Sequence, residues 1–204
     1  MSFRKPADQR KSEIVATMLR LADELGPDRL TTQAVATAVG LTQPAIFRHF
    51  PSKQDLWLAV AELISDSLTD SWGQAVAGSN DPITRIRALV LGQLQQIETM
   101  PAIPSILFSR ELHVENDALR QSVLHLMTDL LALLTRELAA AQTAGAVDPQ
   151  LSPKDGALLL ISLVQGLAIR WTLGKRQFSL QDQGRALLDT QLRLFGCTQP
   201  KATP

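Results

Sequence analysis

Apolar residues recur every three or four positions along almost the whole chain, which is the spacing of one face of an α-helix. No convincing segment alternates apolar and polar residues as a half-buried strand would. Prolines and several glycines fall between the periodic segments. The pattern therefore predicts an all-α protein.

About nine helices are predicted, because most periodic segments begin at a residue that can cap a helix or end at glycine. The first covers residues 11–25 and stops at Gly26-Pro27. One other helix follows the proline-rich segment 100–104. The remaining helices begin at Thr31 or Thr32, Thr42, Ser52, Asp81, Asn116, Ser152 and Ser179.

The overall composition allows a sizeable hydrophobic core and excludes a strong electrostatic field around the whole chain. The chain has 204 residues, of which 45% are hydrophobic, and its 20 basic residues balance 20 acidic ones. Residues 1–57 carry eight lysines and arginines against six acids, a net charge of +2, and the remainder carries −2. The N-terminal quarter is therefore mildly basic, which only suggests an anionic partner.

Cys197 is the single cysteine, so no intramolecular disulfide can form and a reducing cytoplasm is the expected setting. We expect its thiol to be inert rather than redox-sensing. The first residues are polar and charged, unlike a signal peptide. The most apolar stretch, residues 156–169, is too short to cross a bilayer and is predicted to be a core or interface helix.

Residues for catalysis or metal binding are sparse. His113 and His125 are each followed four residues on by an acid, Asp117 and Asp129, which predicts ordinary pairs on a helix face. The sequence has no nucleophile motif, no phosphate-binding glycine loop and no CxxC pair. We therefore predict neither an enzyme nor a metal or cofactor site.

The stretch LTQPAIFRHF, residues 41–50, mixes apolar and basic side chains in one short helix that follows Gly40. A helix, a tight glycine turn and a second helix form the helix-turn-helix arrangement, whose second helix lies in the DNA major groove. Leu41, Ile46 and Phe50 can then pack inward on the preceding helices. The side chains left to face DNA are Thr42, Gln43, Ala45, Arg48 and His49. The alternative is a surface connector that ends in Arg-His.

Residues 30–57, LTTQAVATAVGLTQPAIFRHFPSKQDLW, closely resemble the DNA-binding domain of TetR-family (tetracycline repressor-like) regulators. Residues 108–120, FSRELHVENDALR, also resemble a common subgroup of this family, but more weakly. The resemblance implies a three-helix DNA-binding domain over residues 1–57. It also implies a helical effector-binding and dimerisation domain over residues 58–204.

The resemblance also implies DNA-binding roles for particular residues. Thr32 and Gln33 would lie at the DNA backbone, and Lys53 would contact a phosphate. The recognition-helix positions are Thr42, Gln43, Ala45 and His49. Phe47 stands where the family usually has tyrosine, so its packing is kept and a phosphate contact is lost. Arg48 could meet a phosphate, a base edge or an acid, and Gln43 or His49 could instead be capping or solvated residues.

In the body, Gln121, His125 and Gln165 are polar groups scattered among leucines, as in an apolar cavity for a hydrophobic or amphipathic effector. A packed core without a cavity is the alternative.

The last two long helices, the predicted eighth and ninth, are expected to pair with those of a second copy. The residues expected on that face are Leu159, Leu163, Leu167, Leu188, Leu192 and Phe195. The alternative is a monomer in which these helices close its own core.

Together these features predict a cytoplasmic, homodimeric, ligand-responsive transcriptional regulator, a repressor in particular, that binds a palindromic operator. Two other classes stay open: a helical enzyme, and a helical module that binds a protein partner instead of DNA.

Overall fold

The computed structural model describes residues 6–197, and the secondary structure of that part is helical, as the apolar spacing predicts. It contains ten α-helices and one 3-10 turn, Pro27–Arg29. The helices are α1 Ala7–Leu25, α2 Thr32–Ala38, α3 Gln43–Phe47, α4 Lys53–Ala77, α5 Pro82–Thr99, α6 Ile103–Leu107, α7 Arg110–Glu115, α8 Asp117–Thr143, α9 Pro153–Leu173 and α10 Leu180–Leu194. The predicted eighth and ninth helices are therefore α9 and α10.

Besides the start of α2, five of the predicted helix starts are confirmed by side-chain caps. In each, a side-chain oxygen accepts a hydrogen bond from the backbone N–H three residues on, which satisfies a donor that the helix leaves unpaired. These capping residues are Ser52, Asp81, Asn116, Ser152 and Ser179. The hydroxyl and backbone N–H of Thr84 also hold the pKa of Asp81 below its ordinary value.

The sixth predicted helix is instead two short helices, α6 and α7. Ser109 has an extended backbone between them, and its hydroxyl oxygen caps α7 by accepting from the Leu112 N–H at 3.2 Å. Thr31, and not Thr32, caps α2. One strong cap thus divides a stretch that apolar spacing alone reads as continuous.

The described chain forms two compact units, and the first joins residues 6–66 to residues 100–125. Hydrogen bonds tie the later segment to the N-terminal helices. The Ser109 hydroxyl donates to Asp28 Oδ1 at 2.9 Å, and the Asn116 amide donates to the Gln54 carbonyl at 3.2 Å. Two residues that cap helices therefore also hold this unit together.

The second unit joins residues 67–99 to residues 126–197. In it, α5 packs against α9 and α10. Glu98 at the end of α5 accepts a hydrogen bond from the Leu180 N–H at 2.7 Å, and so caps α10 from another helix. Both α4 and α8 contribute to the two units, and the domain boundary predicted after residue 57 falls inside α4 and stays a prediction.

Four leucine and phenylalanine side chains predicted on an exposed face are buried within the chain. They are Leu167, Leu188, Leu192 and Phe195, none more than 3% exposed. The prediction is wrong for them because α10 packs on α5 and α9 of the same chain. The exposed apolar side chains of α9 and α10 are Leu158, Leu159, Ile169, Leu173 and Leu194.

By length and composition alone, α9 could cross a membrane. It is longer than the apolar core at 156–169 because Ser152 and Gly174 set its ends. A packed helix of a water-soluble protein passes the same test, and 39% of the apolar window is buried inside the chain. One such helix is weak evidence for a membrane protein.

Candidate nucleic-acid interface

A tight turn joins α2 to α3. Gly40 has a φ of +67°, a conformation that glycine adopts without the steric cost of a Cβ. The Leu41 N–H donates to the Ala36 carbonyl at 2.8 Å and closes the turn. The two helices pack against each other, so the structure has the helix-turn-helix geometry that the sequence predicts.

Apolar side chains anchor α3 to the rest of this unit. Ile46 is fully buried and Phe50 nearly so, as predicted, and Val35 of α2 is fully buried as well. Leu41 is half-buried. Burial on this side fixes which side of the short helix faces solvent.

The solvent side of α3 carries most of the predicted DNA-binding residues. Thr42 and Arg48 are exposed, and Ala45 and His49 are half-buried. Thr42 holds the N-cap position, but its side chain makes no capping hydrogen bond. Phe47 is 39% exposed and adds apolar surface beside these polar groups. The arrangement offers a hydroxyl, a methyl, a guanidinium and an imidazole to a groove.

Gln43 and Thr32 are hydrogen-bonded directly, a contact that the sequence pattern does not predict. The Gln43 side-chain amide donates to the Thr32 hydroxyl oxygen at 2.7 Å, across the turn between α2 and α3. Thr32 is buried, whereas Gln33 beside it is exposed and its amide reaches the Thr37 hydroxyl at 3.3 Å. No periodic pattern signals a bond between residues eleven positions apart.

Lys53 lies at the start of α4, half-buried, directly after the capping Ser52. The Ser52 hydroxyl also donates to the Asp55 carboxylate at 2.6 Å. A lysine ammonium beside the first N–H groups of a long helix suits a phosphate. The position of Lys53 thus fits the contact with a DNA phosphate that the resemblance implies.

The predicted effector-binding residues lie on long helices. Gln121 and His125 are exposed on α8, one turn apart, and Gln165 is half-buried on α9. Their role in ligand binding stays a prediction. The predicted His113–Asp117 pair on one helix face is wrong, because Asn116 separates α7 from α8. The ring Nε2 of His113 lies 2.9 Å from the Leu107 carbonyl, and Arg120 pairs with Asp117.

A largely apolar groove of about 610 Å³ lies in the second unit, between α4 and α8. Trp72, Val76 and Leu133 line it together with Asp129 and Arg136. A second groove, of about 750 Å³, lies in the first unit against α6 and α7 and includes Phe108 and Val114. Neither groove is lined by the three predicted effector-binding residues.

Within residues 6–197, no three His, Cys, Asp or Glu side chains are grouped so that they could hold a metal ion. Cys197 is half-buried, and this burial raises the pKa of its thiol. A raised pKa lowers the fraction of reactive thiolate at neutral pH. Its environment is that of an inert thiol.

Two family models match the chain. "Bacterial regulatory proteins, tetR family" matches residues 14–60, and "BetI-type transcriptional repressor, C-terminal" matches residues 82–195. The second alone covers more than half of the chain. Both describe regulators rather than enzymes, as the sequence predicts.

Among curated proteins, the nucleoid occlusion factor SlmA of Salmonella typhi is 33% identical over 130 residues, 63% of this chain and 66% of SlmA. The chain thus spans slightly less than two thirds of that relative. A TetR transcription regulator from Haloarcula marismortui has a similar structure, with a TM-score of 0.79 and 17% identity over 92% of this chain and 98% of the other. FadR of Bacillus subtilis, solved with stearoyl-CoA, has a TM-score of 0.76 and 13% identity over 89% and 97%. These two likenesses show the fold.

Proposed function

Because the chain belongs to the TetR family of bacterial regulatory proteins, we propose that it is a cytoplasmic transcriptional repressor that a small-molecule effector releases from its operator. It binds a near-palindromic DNA site as a homodimer. The half-sites lie roughly 34–36 Å apart, so that two recognition helices enter successive major grooves.

The observation that carries this proposal is the two-sided chemistry of α3. Ile46 anchors the helix in the core, while Thr42 and Arg48 are exposed on the same five-residue segment and its flanks. Lys53, at the start of the next helix, supplies a cation for the phosphate backbone. We assign contacts with base edges to Thr42, Gln43, Ala45 and His49. Contacts with the DNA phosphate backbone are assigned to Thr32, Gln33, Arg48 and Lys53.

The homodimer forms through α9 and α10. Support comes from the apolar side chains that these helices leave exposed, among them Leu173 at 79% and Leu194 at 75%. Exposed apolar side chains on two neighbouring helices suit a protein interface. A two-fold dimer uses the same surface of both copies.

The effector is apolar or amphipathic, and the groove between α4 and α8 is the site we propose for it. The groove has an apolar wall that includes Trp72 and Leu133, with one acid and one base among its lining residues. Mostly apolar concave surfaces with a few polar groups are typical of small-molecule sites. An effector that binds there and favours a conformation with low DNA affinity weakens DNA binding. DNA then weakens effector binding by the same factor, because coupling between two sites is reciprocal.

Selection of genomic fragments by the purified protein, followed by salt titrations on the selected site and on a scrambled duplex, tests the proposal. The wild type should bind the selected site more tightly than scrambled DNA, with an affinity that falls steeply with salt. Lys53→Ala should weaken binding to both duplexes and lower the salt slope by about one counterion per subunit. Lys154→Ala, a change at an exposed lysine of α9, is the control and should leave the slope unchanged.

Release by an effector is tested in the same DNA-binding assay. The compound used is the apolar one that raises the melting temperature of the protein most in a thermal-shift screen. It should weaken binding of the wild type to the selected site. Equal affinity for every duplex would contradict the operator-binding function, and a compound that stabilises the protein without weakening DNA binding would contradict effector release.

The name of the SlmA relatives favours a second candidate function, nucleoid occlusion. The distribution of selected fragments separates the two candidates. Sites confined to the upstream regions of a few genes support a repressor, whereas sites spread over much of the chromosome support nucleoid occlusion.

A further inference from the structure

A hydrogen bond joins the side chains of Thr32 and Gln43. The Gln43 amide nitrogen and the Thr32 hydroxyl oxygen are 2.7 Å apart, and Thr32 is only 9% exposed. Gln43 is the first residue of α3, and the first residues of a recognition helix are those that contact base edges. A buried partner thus restrains a side chain at a base-reading position.

The bond leaves a defined set of polar groups on Gln43. A glutamine amide has two N–H donors and one carbonyl oxygen, and Thr32 takes one of the donors. The carbonyl oxygen and the second N–H are left. These are the two groups with which glutamine pairs to adenine, accepting from the N6 amino group and donating to N7.

We propose that Thr32 is a positioning residue, which orients the Gln43 amide to read one adenine in each half-site of the operator. This inference rests on the proposed DNA-binding function and adds the base that is read and the residue that fixes the reading group. A side chain that a hydrogen bond already restrains loses less conformational entropy when it binds.

If Thr32 only contacted a phosphate of the DNA backbone, its substitution would have a different effect. A phosphate contact carries no sequence information, so its loss weakens binding to all duplexes alike. Loss of a positioning bond weakens discrimination at one base pair. The two roles are therefore separable by measuring each variant on several duplexes.

The experiment measures dissociation constants of full-length wild type, Thr32→Val, Gln43→Ala and the double variant. The duplexes are the selected operator, operators substituted at each adenine of the half-site, and operators carrying 7-deazaadenine, which lacks N7. In the wild type, one adenine should be preferred over other bases by roughly 5- to 150-fold, the range expected for one bidentate contact. That position should also be sensitive to 7-deazaadenine.

Thr32→Val should lower this preference several-fold, and should have no further effect on it in the Gln43→Ala background. Thr32→Ser keeps the hydroxyl and should retain the preference. Thr37→Val is the matched control, because the hydrogen bonds of the Thr37 hydroxyl are with Gln33 within α2 and not with Gln43. Should Thr32→Val lower the melting temperature, Thr32→Ala takes its place.

The inference is overturned if the Thr32 variants weaken binding to every duplex equally while the adenine preference remains. It is also overturned if Gln43→Ala changes no base preference. In both cases the wild type still selects an operator, so the proposed function stands. A wild type that binds all duplexes alike overturns both.

Discussion

At the scale of single residues, Glu137 is the acid that is buried among the described residues, with 1% of its surface exposed. Its carboxylate pairs with Arg136 at 2.8 Å and with Arg85 of α5 at 3.4 Å. Arg136 is largely exposed, so Arg85 is the more enclosed of its two partners. We expect Arg85→Met to lower the free energy of unfolding by up to about 3 kcal/mol, because a buried charge loses a partner. Urea denaturation measures the change.

Arg85→Met combined with Glu137→Met should recover part of this loss, because no buried charge is left unpaired. Arg120→Met breaks an exposed pair with Asp117 and serves as the control, with an expected effect below about 1 kcal/mol. Equal effects of the Arg85 and Arg120 variants would contradict the argument from burial.

At the scale of helices, the contact between α5 and α10 depends on the absence of a side chain at Gly184. A Cβ there would overlap the Cδ1 atom of Leu94, so this fully buried side chain would have to shift. Alanine in place of glycine in a helix gains about 1 kcal/mol from propensity. Overpacking of a core costs typically about 1–3 kcal/mol. We therefore expect Gly184→Ala to be neutral or destabilising, as measured by chemical denaturation.

Gly73→Ala in α4 is the matched control, because nothing lies within 4 Å of a Cβ at that position. Propensity then acts alone and should stabilise the protein by up to about 1 kcal/mol. If Gly184→Ala stabilised the protein as much as Gly73→Ala does, the two helices would not be as closely packed as the structure has them.

At the scale of the whole molecule, self-association should depend on the exposed face of α9 and not on the buried face of α10. Leu159→Glu with Ile169→Glu should give a folded monomer, because both side chains are nearly half exposed in the single chain. Leu192→Glu should instead destabilise the fold, since this side chain is 1% exposed and a charge there is buried without a partner. Sedimentation velocity and thermal melts distinguish the two outcomes.

Val114→Glu, at an exposed position of α7, is the control and should leave the dimer intact. A wild-type monomer at micromolar concentration, or a dimer that survives the α9 double variant, would contradict an interface on this face.

The sequence by itself determined the helices and the helix-turn-helix, because both arise from interactions close in the chain. The caps Ser52, Asp81 and Ser179 each bond a backbone N–H three residues on, and the apolar spacing marks which side of a helix is buried. The turn at Gly40 is equally local. These features were predictable without knowledge of which helices meet.

The tertiary structure decided which helices meet, and with that the burial of particular side chains. The sequence marks Leu188 and Leu192 as one apolar stripe, but only the packing of α10 on α5 shows that the chain itself covers it. The bond from Gln43 to Thr32 likewise depends on how two helices approach across a turn. Periodicity fixes the side of a helix that is apolar, whereas long-range packing fixes the partner that covers it.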